Sequence, residues 1–299
     1  MRIGFVIVTY NRSDALLVVL RALAPQCRPD DVVVVADDGS RPEHVRGVQD
    51  GVRSVQFTAA CPVLHAWHPD VGFTAGRARN IGALAAREAG ADYIVFMDGD
   101  CVPHAGFAAM HRALAEEGAF VNGSRVLLSE RLTDRVVNGA IDLAMLGLPQ
   151  WLRLRLSGDV NKLAHLVQWP ALPGRQQWGF RWSGIRSCNF GLWWRDLEAV
   201  DGFDETFSGW GHEDADLVLR LHNQGLVRKN RHLATEVFHL WHRENSRAHE
   251  SANRARVEAR MNAGICRAAR GLADARGDAS VVVTRLRGAD GSLERQAHE

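Results

Sequence analysis

Over the first third of the chain, short runs of β-branched and aliphatic residues alternate with segments of helical spacing. IGFVIVT at 3–9, DVVVVA at 31–36 and YIVFM at 93–97 read as strands, because continuous apolar runs of this length suit a sheet covered on both faces. Between them the pattern predicts a helix from Ser13, a residue type that caps helices, to about Leu23. A second helix is predicted over 77–88, alanine-rich and ended by Gly90. Strands alternating with helices in this way imply βαβ units, an α/β fold with a mostly parallel central sheet flanked by helices. Each predicted strand runs into polar residues: Tyr10-Asn11, Asp37-Asp38-Gly39-Ser40 and Asp98-Gly99-Asp100. Ligands of open α/β sheets lie outside the carboxyl ends of the strands, so the three polar ends are expected to share one crevice.

After Gly118 the texture changes. FVNGSRVLL reads as one further strand, and 129–182 is a long Arg- and Trp-rich stretch of poor periodicity. Eight of the nine tryptophans fall between Trp151 and Trp241, which suits either a surface for a flat amphipathic partner such as a sugar ring or a second core layer. For Trp193 and Trp194 both readings stay open. Residues 247–274 read as a basic helix, and 280–296 as a strand and turn before a loose end. The simplest organisation is one domain in two halves, 1–120 and 121–245, with an extension over 246–299.

Composition narrows the function classes. Lys+Arg at 36 against Asp+Glu at 35 leaves a net charge of +1, so no global field draws the chain to nucleic acid. Five cysteines without a CxxC pair imply free thiols in a reducing compartment, hence a cytoplasmic location. The opening MRIGFVIVTYNR alternates like a first strand and is not read as an export signal. The most apolar stretch, 140–156, is broken by Asp142, Pro149 and two arginines; it can at most lie on a bilayer surface.

Three constellations carry candidate chemistry. In VFMDGDC a buried strand runs into Asp98 and Asp100, whose oxygens can face a hard divalent cation shared with a diphosphate; a solvated turn is the plain alternative. In FSGWGHEDADL the acids Glu213, Asp214 and Asp216 open a helix, where its dipole favours negative charge. Just upstream stand Gly209, Trp210 and Gly211, so a carboxylate there is also placed beside a sugar-stacking ring to accept a hydroxyl proton. In VFHLWH, His239 and His242 offer imidazoles that can complete a cation site begun by a carboxylate.

Taken in order, VTYN, ADDGS, GRARNIG, DGDC, SCNFGLWWRDLEAVDGFDETFSGWGHEDADL and FHLWH resemble family-2 nucleotide-sugar glycosyltransferases of the GT-A fold, which is Rossmann-like with a C-terminal acceptor-binding half. The later segment is similar to that of chondroitin polymerases and β-1,4-galactosyltransferases. The likeness covers roughly 1–120 and 180–245. It implies that Tyr10, Asp37, Asp38, Arg79 and Asp98 bind the nucleotide-sugar. It further implies a Mn²⁺ or Mg²⁺ ion on Asp100 and His239, with Asp98 and His242 as further candidates, and Asp214 as the general base. Trp210, Glu213 and Asn189 would then hold the acceptor. One departure stands out: His212 occupies the second glycine of the family's Trp-Gly-Gly-Glu-Asp motif, so acceptor identity does not carry over.

The implied reaction is an inverting sugar transfer from a nucleotide-sugar, UDP-linked by preference, to a glycan or lipid-linked acceptor. Bacterial surface polysaccharide assembly is the expected setting and secondary-metabolite glycosylation the other. Peripheral membrane contact is expected through 140–186, where Trp151, Arg153 and Arg155 flank an apolar run. Two rivals are a sugar nucleotidyltransferase, whose glycine-rich basic loop after the first strand is replaced here by VTYNRSD, and a non-catalytic carbohydrate-binding protein of the same fold.

Overall fold

The computed structural model describes residues 1–54, 57–230, 233–243 and 247–288. Strand β1 (Ile3–Thr9) is buried along nearly its whole length, as its unbroken apolar run requires. Helix α1 (Ser13–Leu23), strand β2 (Val32–Asp37), helix α2 (Pro42–Arg53), strand β3 (Val63–Trp67), helix α3 (Ala75–Glu88) and strand β4 (Tyr93–Asp98) follow. The four strands are parallel, in the order β3-β2-β1-β4. Strand β3 is short and carries His65 in its middle, which hid it from the pattern. Ser13 does not cap α1: Arg12 holds the cap position and the serine hydroxyl faces His44 Nδ1 at 3.1 Å.

The second half adds β5 (Cys101–Pro103), α4 (Phe107–Leu114), β6 (Ala119–Asn122), β7 (Ser124–Leu127), α5 (Glu130–Val137) and α6 (Leu148–Leu156). Then come β8 (Gln176–Gln177), β9 (Asn189–Trp193), α7 (Trp194–Ala199), α8 (Glu213–Asn223), β10 (Val227–Lys229) and β11 (Glu236–His239). The chain ends, as far as it is described, in α9 (Glu250–Arg260), α10 (Leu272–Ala275) and β12 (Val282–Arg287). Among the described residues, one sheet runs β12-β3-β2-β1-β4-β9-β6-β10-β8 and a smaller one runs β5-β11-β7. Strands β9, β12 and β8 lie antiparallel to their neighbours, so the sheet is parallel through β3-β2-β1-β4 and mixed beyond.

Two expectations are corrected by these elements. FVNGSRVLL is not one strand; it breaks at Gly123, placing β6 in the large sheet and β7 in the small one. A Cβ at Gly123 would fall 2.1 Å from the Asn189 side chain, so glycine is what lets the two sheets meet there. The basic stretch 247–274 is helical only in α9 and α10, and the tail beyond β12, from 289, lies outside the described residues.

The tryptophan question resolves toward the core at three positions. Trp194 is buried, Trp193 meets Tyr93 edge-on at 5.5 Å, and Trp151 stacks on Phe238 at 5.0 Å. Trp151 is therefore a packing residue and not part of a bilayer-facing surface. Two apolar layers sandwich the large sheet: α1 and α2 with β5 and β11 on one side, α3 and α8 on the other.

Candidate functional site

Strand order reverses between β1 and β4, because β2 and β3 extend from one edge of β1 and β4 starts the other. The crevice of such a sheet opens at this point. Gly99 sits in it: its amide donates to Val8 O at 2.7 Å, and an added Cβ would lie 2.9 Å from the same oxygen. The turn between Asp98 and Asp100 is thus pressed against the end of β1.

On the β1–β2 side the polar side chains bond within the protein. Asp37 accepts from Ser40 N at 2.7 Å and lies 2.9 Å from His65 Nε2, with 1% of its surface exposed. Asp38 accepts from the Thr74 amide at 3.0 Å and the Thr74 hydroxyl, and lies 3.2 Å from His68 Nε2. Both carboxylates are buried and engaged within the protein, where they brace the loops at the ends of β1 and β2. Tyr10 stands 46% exposed, its hydroxyl donating to Asp70 Oδ2 at 2.8 Å. Asp70 was not anticipated, since nothing in its local sequence points across to Tyr10.

Arg79 is likewise turned inward. Buried over the Phe203 ring, its guanidinium donates to Asp98 Oδ1 at 3.0 Å and to Glu213 Oε1 at 3.1 Å. It ties the DGD turn to the start of α8. Neighbouring carboxylates push the Arg79 pKa up despite its burial, so the charge is permanent. The next residue, Asn80, grips both the amide and the carbonyl of Phe203, at 2.8 and 2.9 Å. Its tertiary role has no local sequence signature.

Asp214 follows Glu213 and lies against the backbone amides of Ala215 and Ser187. Burial raises the pKa of both acids, and for Glu213 the Asp214 charge adds to the effect. A carboxylate with a raised pKa, short of solvent and held by two N–H groups, is suited to take up a proton.

Asp100 faces two imidazoles: His242 Nε2 lies 3.3 Å from Oδ2 and His239 Nε2 lies 4.0 Å from Oδ1. The three ligand atoms lie within 4.8 Å of one another. Ligands sharing an ion at about 2.1–2.2 Å sit about 3–4.3 Å apart, a range that holds both imidazole separations from Asp100, 3.3 and 4.0 Å. Of the two histidines, His242, which stood second at the sequence level, is nearer the carboxylate. Asp98 falls instead in a cluster with Cys101 and Cys188. Burial holds the Cys101 thiol well above its usual pKa, so thiolate ligation is disfavoured there. Asp98 still acts electrostatically on both Asp214 and His239, which brings base and imidazoles into one neighbourhood.

The loop before α8 forms the outer wall. His212 caps α8 with φ of +70°, a conformation that costs a non-glycine residue about 1–2 kcal/mol. Its ring meets Trp182 edge-on at 5.5 Å, and the Arg247 guanidinium lies 5.2 Å over Trp210. Helix α9 holds this loop: Asn253 donates to Ser208 O at 3.1 Å and Gly211 O at 2.9 Å, while Arg260 bridges Asp204 and Asp216 at 2.8 and 2.6 Å. The basic tail therefore supports the site, a task its composition did not reveal.

Asn189 opens β9 at the junction of the two sheets. It is fully buried, donates to Ser124 O at 3.0 Å and to Thr235 O, and faces His111 Nε2 at 3.2 Å. His111 is pushed down to about 3 by burial, so it stays neutral. With its amide engaged inside the protein, Asn189 joins the two sheets.

Residues 5–155 match the model described as Glycosyl transferase family 2, and 175–243 match that described as the N-terminal domain of galactosyltransferase. A validoxylamine A glucosyltransferase of Streptomyces hygroscopicus subsp. limoneus is 30% identical over 233 residues, covering 75% of this chain and 48% of that protein. A chondroitin synthase of Escherichia coli is 24% identical over 247 residues, covering 75% of this chain and 32% of its own length. The chain thus spans about half or less of the length of these relatives. Among solved structures, GalNAc-T7 with UDP, GalNAc and Mn²⁺ superposes with a TM-score of 0.54 at 16% identity, over 87% of this chain and 48% of the other.

Proposed function

This chain belongs to glycosyl transferase family 2 and has the GT-A fold, and from that premise we propose that it is a metal-dependent inverting glycosyltransferase using a UDP-sugar. The acceptor is a hydroxyl of a glycan or lipid-linked molecule. One observation carries the reading: Arg79 ties Asp98 to Glu213 across more than a hundred residues of chain, so that the half-buried Asp214 shares a neighbourhood with the Asp100, His239 and His242 set.

Asp214, supported by the Ala215 and Ser187 amides, takes the proton from the acceptor hydroxyl. The freed oxygen pair attacks the anomeric carbon on the face opposite the nucleoside diphosphate, and the configuration inverts. A Mn²⁺ ion on Asp100, His239 and His242 would supply positive charge to the departing diphosphate; two imidazoles favour Mn²⁺ over Mg²⁺, which prefers oxygen ligands. Tyr10, exposed at the end of β1, is the side chain we assign to the nucleotide. A transfer and hydrolysis screen over UDP-, GDP- and dTDP-sugars with Mn²⁺ tests the whole reading. Turnover confined to UDP-sugars is the expected result, and sugar binding indifferent to nucleotide and metal would overturn it.

Likeness to a chondroitin synthase supports polysaccharide assembly as the setting, whereas likeness to a validoxylamine A glucosyltransferase favours glucosylation of a small molecule as a second reading. In either setting His212 is assigned to the acceptor wall. Glycine there relieves the positive-φ cost but frees the unfolded chain, so His212→Gly is expected to hold stability within about 1 kcal/mol of the parent. The same variant should raise the acceptor KM severalfold through loss of the ring beside Trp182. An unchanged KM would remove His212 from the wall.

Membrane contact, if it accompanies a lipid-linked acceptor, is assigned to α6. Among the described residues no helix is long and apolar enough to cross a bilayer. Leu148, Leu152 and Leu156 are 57%, 46% and 89% exposed and, spaced by four, share one face, with Arg153 and Arg155 exposed beside them. The full chain should co-sediment with phosphatidylglycerol vesicles and much less with phosphatidylcholine, and Leu152→Glu/Leu156→Glu should abolish the difference. Equal sedimentation of parent and variant would remove α6 from this role.

A further inference from the structure

The start of α8 carries costs that its own residues do not offset. His212 caps the helix in a left-handed conformation and makes no side-chain capping bond, Gly209 and Gly211 before it also have positive φ, and the charges of Glu213 and Asp214 after it repel. A backbone of this kind persists only where its surroundings over-determine it. Helix α9 supplies that constraint on both sides of Asp214. Ahead of it, the Asn253 side chain, 4% exposed, donates from its amide nitrogen to Ser208 O at 3.1 Å and to Gly211 O at 2.9 Å. Behind it, the Arg260 guanidinium lies 2.6 Å from Asp216, two residues on in the same helical turn, and 2.8 Å from Asp204.

One face of α9 makes these contacts, because Asn253, Val257 and Arg260 follow at spacings of four and three. Val257, fully buried between the two polar grips, shares a small apolar cluster with Phe207 and with Ala215 and Leu219 of α8 itself. The packing leaves no slack: a Cβ at Gly209 would fall 2.5 Å from the ring of His249, the residue that precedes α9. Both family matches end before this helix, the second at 243, so the family frame assigns it no task.

We propose that α9 positions the base of the reaction, and that Asn253 is the positioning residue whose hold on Gly211 O, acting through the His212 pivot, fixes where the Asp214 carboxylate stands. The proposal rests on the reading of Asp214 as base, but one of its readouts is independent of turnover. Asn253→Ala leaves two loop carbonyls without their donor and changes no charge, so Arg79, Asp98 and Glu213, which act electrostatically on Asp214, stay as they are. Hydrolysis of UDP-glucose with Mn²⁺ by the full chain is the assay, water taking the acceptor's place. In Asn253→Ala kcat is expected to fall about 10- to 100-fold, the effect of misplacing a catalytic group by about an ångström, while donor KM and UDP affinity keep their parent values. The acid limb of the pH–rate profile should move down toward the ordinary carboxylate range, because a released loop admits water to Asp214. Hydrogen exchange read by mass spectrometry should quicken about tenfold across 208–216 and stay at the parent rate in β1 and β4.

Parent-like kcat in Asn253→Ala overturns the proposal. So does a fall in kcat with the acid limb unmoved, or exchange that quickens over the whole sheet, since either makes α9 a prop of the fold and not of the base. A parallel loss of UDP affinity overturns it as well, by giving the helix to the donor site. Absence of UDP-glucose turnover in the parent would count against the donor reading instead, and the exchange comparison then decides the proposal alone. Should Asn253→Ala fail to fold by circular dichroism, Asn253→Ser, which keeps one donor, supplies the same comparisons.

Discussion

Asp214→Asn is expected to lower the transfer rate by about 10²- to 10⁴-fold, the usual effect of removing a general base, while UDP-sugar affinity stays near the parent value. The same variant should melt at a higher temperature at neutral pH. Burial raises the Asp214 pKa in the folded state, so the ionised form is less favoured there than in the unfolded chain. Such a group supports the fold while protonated, and that support is lost as pH rises through the raised folded value. Asparagine never ionises, so its advantage should appear at neutral pH and shrink as pH falls into the carboxylate range. The acid limb of kcat/KM in the parent should accordingly lie above the ordinary carboxylate range, set by the coupled Glu213–Asp214 pair. Thermal melts and pH–rate profiles of both proteins check this. Near-parent turnover in Asp214→Asn would take the base elsewhere, and a lower melting temperature would contradict the electrostatic account.

Removal of the metal centre is the second large effect. Asp100→Ala is expected to weaken Mn²⁺ binding by well over the 10- to 100-fold that loss of a supporting partner costs, and turnover should fall with it. His242→Ala should be at least as damaging as His239→Ala, because His242 lies nearer the carboxylate, at 3.3 Å against 4.0 Å. Chelation of the parent with EDTA should reproduce the loss, and Mn²⁺ should restore it in the parent but not in Asp100→Ala. Direct titration with Mn²⁺, followed by electron paramagnetic resonance, separates binding from turnover. Activity that survives EDTA would dissociate the three residues from catalysis, whatever they bind.

Asp37, Asp38, Arg79 and Asn189 each have partners within the protein that their motifs do not reveal, far along the chain or on loops that pack over them. Arg79 still serves the site, by fixing Asp98 and Glu213. Asn189 serves the junction of two sheets. A polar residue at the end of a strand is visible in sequence, whereas what satisfies it depends on which distant segment folds across it.

What the sequence determined by itself was local and periodic. Apolar runs ending in Tyr10, Asp37 and Asp98 named three parallel strands and the end at which a crevice opens, because strand burial and direction follow from a residue's immediate neighbours. The acids opening α8 and the histidines closing β11 were legible for the same reason. Tertiary structure alone decided the rest: the break at Gly123, the grip of Asn253 in α9 on Ser208 and Gly211, and the strained backbone of His212. Each is a meeting of segments tens of residues apart, and periodicity records which face of an element is buried without recording what it is buried against.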